Sequence, residues 1–174
     1  VSPEQMLMGG QVICGMNATR RQLNNAMRQA AGFANTYPTG RDEKLICLKN
    51  RHDLGLINGM FIDLTDIQDE GPLALSAVIK TEDGDLIPGR VKIYKGHYDD
   101  HVAYDRDRSR RDWRDMRGLG ESDWGYAITR HKSQGSQWKN VLVYDDGLGR
   151  TPEDRARWLY TAITRAEQGL VILD

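Results

Sequence analysis

Apolar residues along this chain follow two rhythms. The run Gln11 to Gly15 is short and apolar, and beyond it Leu23, Ala26, Met27 and Ala30 recur at helical spacing. This predicts a strand followed by a helix reaching about Ala31, with Asn17 or Thr19 as its cap. Thr36-Tyr-Pro-Thr-Gly40 breaks the helix, and the rhythm shortens. Lys44 to Leu48 is apolar, Asn58-Gly59 is a turn signal, and Met60 to Leu64 alternates as a strand does. Ala74 to Lys80 and Leu86 to Tyr94 predict further strands about the tight turn Glu82-Asp-Gly84.

From Trp124 the first rhythm returns. It predicts a strand over Tyr126 to Thr129, a short helix from Ser133 to about Trp138, a strand over Val141 to Tyr144, a helix, and a strand over Leu170 to Leu173. The last helix carries clear signals. Thr151 stands at the N-cap, Pro152 at the first position, Glu153 and Asp154 in the first turn, with Ala156, Leu159, Ile163 and Ala166 on one face and Gly169 at its end. Strands interleaved with helices at both ends of the chain predict an α/β fold, a parallel sheet with helices on both faces. The expected organisation is an α/β body from residues 1–40 and 120–174, with a β-rich insertion at residues 41–119.

The chain has 174 residues, of which 39% are hydrophobic, enough for one substantial core with a small second lobe. It starts at Val1, with no signal-peptide pattern and no apolar run of membrane length, so the expectation is a soluble, cytoplasmic piece of a longer chain. Cys14 and Cys47 lie far apart inside apolar runs and read as structural thiols of a reducing compartment.

A net charge of −1 excludes a uniformly basic coat, but the charges are unevenly placed. Four arginines and no acid occur from Gln5 to Arg41; Arg130, Lys132 and Lys139 and no acid occur from Trp124 to Tyr144. Between Phe61 and Asp100, nine acids face four Lys or Arg. The basic segments are the α/β ones, as a track for a polyanion requires. Asp99 to Arg117 holds six acids and six arginines and reads as a solvated, internally paired segment. Within and beside it, His97 and His101 have metal-ligand spacing but no evident third partner. Lys49-Asn-Arg-His52 reads as a solvated hairpin end, with contact to nucleic acid as the sharper alternative.

Two runs hold the chemistry. In Tyr126-Ala-Ile-Thr-Arg-His-Lys-Ser-Gln-Gly-Ser136, an apolar strand delivers a hydroxyl, cations and a Ser-Gln-Gly-Ser turn to a strand's carboxyl end, where open α/β sheets bind ligands. In Leu159-Tyr-Thr-Ala-Ile-Thr-Arg-Ala166, Thr164 and Arg165 fall near the end of a helix, from which the arginine can reach a neighbouring phosphate.

These runs resemble motifs V and VI of superfamily 1 DNA helicases, particularly the RecD-like and Dda-like branch. Motif V there reads much like Tyr-Ala-Ile-Thr-x-His-Lys-Ser-Gln-Gly-Ser, and motif VI much like Tyr-Thr-Ala-Ile-Thr-Arg-Ala. The segment Gln11 to Arg21 is similar, more loosely, to the region around motif IV. The resemblance implies a second RecA-like motor domain carrying an inserted SH3-like β lobe. It implies ATP and Mg²⁺ as cofactors, held mainly by a first RecA-like domain of the same polypeptide, and single-stranded DNA as partner, with nuclease or helicase subunits as further partners if the parent is an exodeoxyribonuclease. Arg165 is then the catalytic arginine finger, with Arg20, Arg21 and Gly135 also on the nucleotide side. Asn17, Thr129, His131, Lys132 and Ser136 form the DNA-side group.

No Gly-x-x-x-x-Gly-Lys-Ser/Thr occurs, so Val141-Leu-Val-Tyr-Asp145-Asp146 and Asp42-Glu43, which look like Mg²⁺-holding sites, read as loop carboxylates. No residue is expected to hold a metal, and alone the chain is not expected to hydrolyse ATP. The alternative is a non-catalytic RecA-like module that binds nucleic acid or protein.

Overall fold

The computed structural model describes residues 1–99 and 114–173. In chain order the elements are α1 (Pro3–Gly9), β1 (Gln11–Cys14), α2 (Asn17–Ala30), β2 (Leu45–Cys47), β3 (Phe61–Asp69), β4 (Ala74–Thr81), β5 (Val91–Tyr94), β6 (Leu119–Gly120), β7 (Ser122–Trp124), β8 (Ala127–Thr129), α3 (Arg130–Ser133), β9 (Trp138–Tyr144), α4 (Pro152–Ile163) and β10 (Ala166–Leu173). They form two units: Val1–Ala34 with Tyr126–Asp174, and Asn35–Gly125. The second unit takes in residues 120–125, which the sequence reading assigns to the α/β body, because β7 pairs antiparallel with β2.

The first unit is built on a four-stranded parallel sheet in the order β10-β9-β1-β8. Val12, Ile13 and Cys14 are fully buried in its centre, with Ile128, Val141 and Val143 beside them. Such continuous burial is what a parallel strand covered on both faces requires. α1 was not foreseen, although Ser2 and Gln5 form the capping box that announces it. The β8 edge is closed by a side chain. Asn24 of α2, 2% exposed, accepts from Ala127 N–H through Oδ1 at 2.9 Å and donates through Nδ2 to Ala127 C=O at 2.9 Å.

Three local expectations are corrected. The helix expected over Ser133–Trp138 lies earlier, at Arg130–Ser133, and Trp138 already belongs to β9. Gln134 is extended and Gly135 left-handed, at φ +83°, so the chain turns out of the helix there. α4 buries Trp158 and Ala162, while Ala156 faces solvent. It ends at Ile163, so Ala166 and Gly169 are strand residues. A Cβ at Gly169 would sit 2.3 Å from Oδ1 of the exposed Asn140 side chain, which would have to turn aside.

The second unit is a six-stranded sheet in the order β6-β5-β4-β3-β2-β7, antiparallel except for the β5–β6 pair. The strand expected over Leu86–Tyr94 is confined to Val91–Tyr94; Leu86 is exposed and makes one isolated bridge to Lys80. Its cations are largely paired within the unit: Lys49 with Glu121, Arg51 with Asp53, Arg90 with Asp66, Lys92 with Glu70, and Lys95 with Asp69.

Candidate nucleic-acid and nucleotide site

β1 and β8 run side by side and end together, Cys14 opposite Thr129. Everything that leaves these two strands emerges at one end of the sheet. From β1 the chain turns through Gly15 and Met16 into α2, bringing Asn17, Arg20 and Arg21. Neither Asn17 nor Thr19 caps the helix: Met16 is the N-cap residue and makes no side-chain cap bond. The entry is instead held from another strand, because Asp146 Oδ2 at the end of β9 accepts from Gly15 N–H at 3.1 Å and Met16 N–H at 2.7 Å. A carboxylate thus already occupies the positive end of α2. Asn17 Oδ1 accepts from Arg20 Nε at 3.4 Å. Burial, aided by the Asp146 charge and opposed by Arg20, pushes the Cys14 thiol up to about 12, and Cys14 Sγ donates to Ile128 C=O at 3.6 Å. It is a structural thiol, protonated at neutral pH.

From β8 come Thr129, which is buried and makes no cap bond to α3, then Arg130, exposed His131 and half-buried Lys132. Ser133 is fully buried, its hydroxyl donating to Arg130 C=O at 2.8 Å. Gln134 and Gly135 are exposed at the turn, and Ser136 N–H returns to Ser133 C=O at 3.2 Å. The cations are therefore presented by one turn of helix.

Arg165 follows α4 and sits at the other end of the sheet. Its Nε donates to Thr161 C=O at 3.1 Å, its Nη2 to Thr164 Oγ1 at 3.1 Å and its Nη1 to Ser136 C=O at 3.4 Å. Trp138 N–H donates to Arg165 C=O at 2.9 Å. The end of the second run is thereby tied to the turn of the first, and the guanidinium satisfies carbonyls at a helix terminus. Ser136 and Arg165 are brought together. Arg20 and Arg21 are not brought to Arg165: Trp138 pairs with Ala166 where β9 and β10 begin, six residues before Tyr144 reaches the level of Cys14, about 20 Å along the strands.

The remaining candidates have structural surroundings. Glu43 is buried and accepts from Thr39 Oγ1 at 2.9 Å, and Asp145 pairs with Arg155, so both carboxylate pairs are loop fastenings. Lys49 Nζ lies 2.7 Å from Glu121 Oε2, and Arg51 donates to the carbonyls of Met116 and Leu119 as well as to Asp53. His97 is buried with Nε2 3.6 Å from Glu121 Oε1; His101 and most of the charged stretch 99–117 lie outside the described residues. Among the described residues no group of three His, Cys, Asp or Glu is placed to hold a metal, and no helix is long and apolar enough to cross a membrane. Sequence reasoning missed Asn24 and Asp146, whose partners lie more than a hundred residues away in the chain.

Residues 125–173, which contain both runs, match the family model described as the UvrD-like helicase C-terminal domain. A stretch of 54 residues is 46% identical to an uncharacterized protein of Methanocaldococcus jannaschii, covering 30% of this chain and 4% of that one. Among solved structures, the chain is similar to a Bacteroides Pif1 bound to single-stranded DNA, with 16% identity and a TM-score of 0.53 over 93% of this chain and 40% of that one. Similar, too, are a Bacteroides Pif1 in complex with ADP-AlF3 and single-stranded DNA (17%, TM-score 0.52, 93% and 39%) and Candida albicans Pif1 (14%, TM-score 0.54, 94% and 44%). The chain spans about two fifths of the length of these structures. The likeness shows the fold alone, a mixed α/β architecture with a parallel sheet and helices of the RecA-like kind. The sequence match supports the C-terminal domain of a superfamily 1 helicase without singling out the RecD-like branch.

Proposed function

We propose, from the helicase C-terminal domain sequence at 125–173, that this chain is the second half of an ATP-driven motor on single-stranded DNA. Its first unit is the second RecA-like domain, and Asn35–Gly125 is the inserted SH3-like lobe. The two ends of the parallel sheet then have separate tasks. Asn17, His131 and Lys132 meet the phosphates of the strand at the carboxyl end. Arg20 and Arg21, given their place at the start of α2, belong with that group rather than with Arg165. Thr129 and Gly135 shape the path of the chain.

At the other end Arg165 stabilises the charge that builds on the γ-phosphate of ATP, itself held with Mg²⁺ by another RecA-like domain of the parent polypeptide. Here Arg165 rests on neutral acceptors. Exchanging them for a phosphate oxygen is favourable, because the anion adds an ion-pair attraction and a match to the guanidinium fork that neutral acceptors lack. The observation that carries the reading is the pair of bonds joining Arg165 to Ser136 and Trp138, since they give the DNA-side turn a direct link to the nucleotide-side arginine.

The test is DNA-stimulated ATP hydrolysis by the natural full-length polypeptide. Arg165→Ala is expected to lower stimulated hydrolysis by about 10³-fold, the low end for arginine fingers, with single-strand affinity retained. Equal loss of both would make Arg165 a helix-end fastening. No stimulated hydrolysis in the unaltered protein would leave the second reading, a RecA-like module that binds without a motor cycle.

A further inference from the structure

We infer that Arg130 is an additional phosphate-binding residue, its guanidinium taking an oxyanion at the carboxyl end of β8. Arg130 occupies the open x position of the first run, between Thr129 and His131. It is the first residue of α3, directly beyond the last paired residue of β8. Its main chain is fixed, with the carbonyl accepting from Ser133 Oγ, so the side chain departs from a defined point. The side chain is only half exposed, and Nε is buried with no hydrogen-bond partner among the described residues.

That state is costly for a guanidinium, which stays charged and carries five donors in a planar fork. Partial burial of a cation is tolerated when an acceptor, preferably an anion, completes it. None is bonded to it among the described residues. Asp146, the acid that follows β9, gives its Oδ2 to Gly15 and Met16 and keeps its buried Oδ1 for itself. The Ile128 carbonyl is taken by Cys14, and Ala127 by Asn24. Three other arginines of this unit have found acceptors: Arg165 at a helix end, Arg155 on Asp145, Arg20 on Asn17. Arg130 keeps a donor turned inward and unmet, at the end of the sheet where the basic residues collect.

A phosphate oxyanion meets both requirements, charge and an acceptor geometry that matches the fork. The inference rests on the motor reading for the presence of phosphate. Two sources share the chemistry, the backbone of single-stranded DNA and the phosphates of a nucleotide.

The experiment uses the natural full-length polypeptide with Arg130→Gln, Arg130→Lys and, for comparison, Arg130→Leu. Binding of fluorescein-labelled oligo-dT is followed by anisotropy over a series of salt concentrations, binding of a fluorescent ADP is followed separately, and thermal unfolding is recorded for each variant. Arg130→Gln is expected to weaken oligo-dT binding about tenfold and to lower the salt slope by about 0.7, one phosphate's share on a single strand. Arg130→Lys should keep the slope and lose part of the affinity, and ADP binding should stay unchanged. A tenfold loss confined to ADP would still support a phosphate site and would assign it to the nucleotide. Less than a twofold change in both ligands, with Arg130→Leu melting at or above the unaltered protein, would overturn the inference and leave the motor reading standing. Failure of the unaltered protein to bind either ligand would overturn both.

Discussion

Asn24 does for the border of β8 what a further strand would do. Its amide offers one acceptor and one donor to the main chain of Ala127, both at 2.9 Å, and a second bond from Nδ2 reaches Arg20 C=O at 3.0 Å. Removing it strands a buried N–H and a buried C=O together, and an unmet buried group costs roughly 1–3 kcal/mol. Asn24→Ala is therefore expected to destabilise the first unit by about 2–4 kcal/mol in urea unfolding. Asn24→Asp, which sets a buried carboxylate against the carbonyls of Arg20 and Ala127, should cost at least as much. If Asn24→Ala costs under 0.5 kcal/mol, the amide is not holding that border.

Elements were legible from the sequence where their signals are local. Thr151 and Pro152 announce α4, and Thr151 Oγ1 does accept from Asp154 N–H at 3.1 Å. The parallel strands were visible as apolar runs, because burial on both faces leaves little room for polar residues. Misplacements arose where a neighbour decides. Ser133 looks like a helix start but ends one, because Gly135 reverses the chain and β9 recruits Trp138 into pairing with Ala166. Gly169 looks like a helix stop but is a strand residue, opposite Asn140 in the β9–β10 pair. The start of α2 is likewise fixed from afar, and Asn17 in the sequence gives no hint that Asp146 does the holding. Asp146→Ala is expected to cost about 2 kcal/mol, since it removes two charge-assisted bonds at a helix entry. Hydrogen exchange should show the loss concentrated in Gly15 to Arg21; protection unchanged there would mean that the carboxylate is dispensable to α2.

At the scale of the whole molecule the two units handle charge differently, and this part of the candidate site was readable as the uneven run of cations along the chain. The described ion pairs fall mostly in the second unit, and one of them makes it sensitive to acid. Burial by itself would raise the Glu121 carboxyl, but its partners His97 and Lys49 outweigh that and bring it to about 2. A carboxylate lowered on folding contributes stability that is complete above its unfolded value of 4.5 and lost as the pH falls toward 2. Glu121→Gln should thus be less stable than the unaltered protein by about 2–3 kcal/mol at pH 7. The gap should close between pH 5 and pH 2, as followed by urea unfolding at each pH; a gap that does not depend on pH would show that packing, not charge, is what Glu121 provides.

Among the described residues the opposite border of the first sheet has no counterpart to Asn24. β10 runs from Ala166 to Leu173 with β9 as its one neighbour among the described strands, and Leu170, Val171 and Ile172 are 40%, 47% and 50% exposed. Consecutive residues of a strand point to opposite faces, so the oily surface is present above and below. In a polymer chemist's language the sheet is terminated at β8 and still living at β10. A strand added there would form a new ladder without breaking any described one, so this sheet can lengthen at β10.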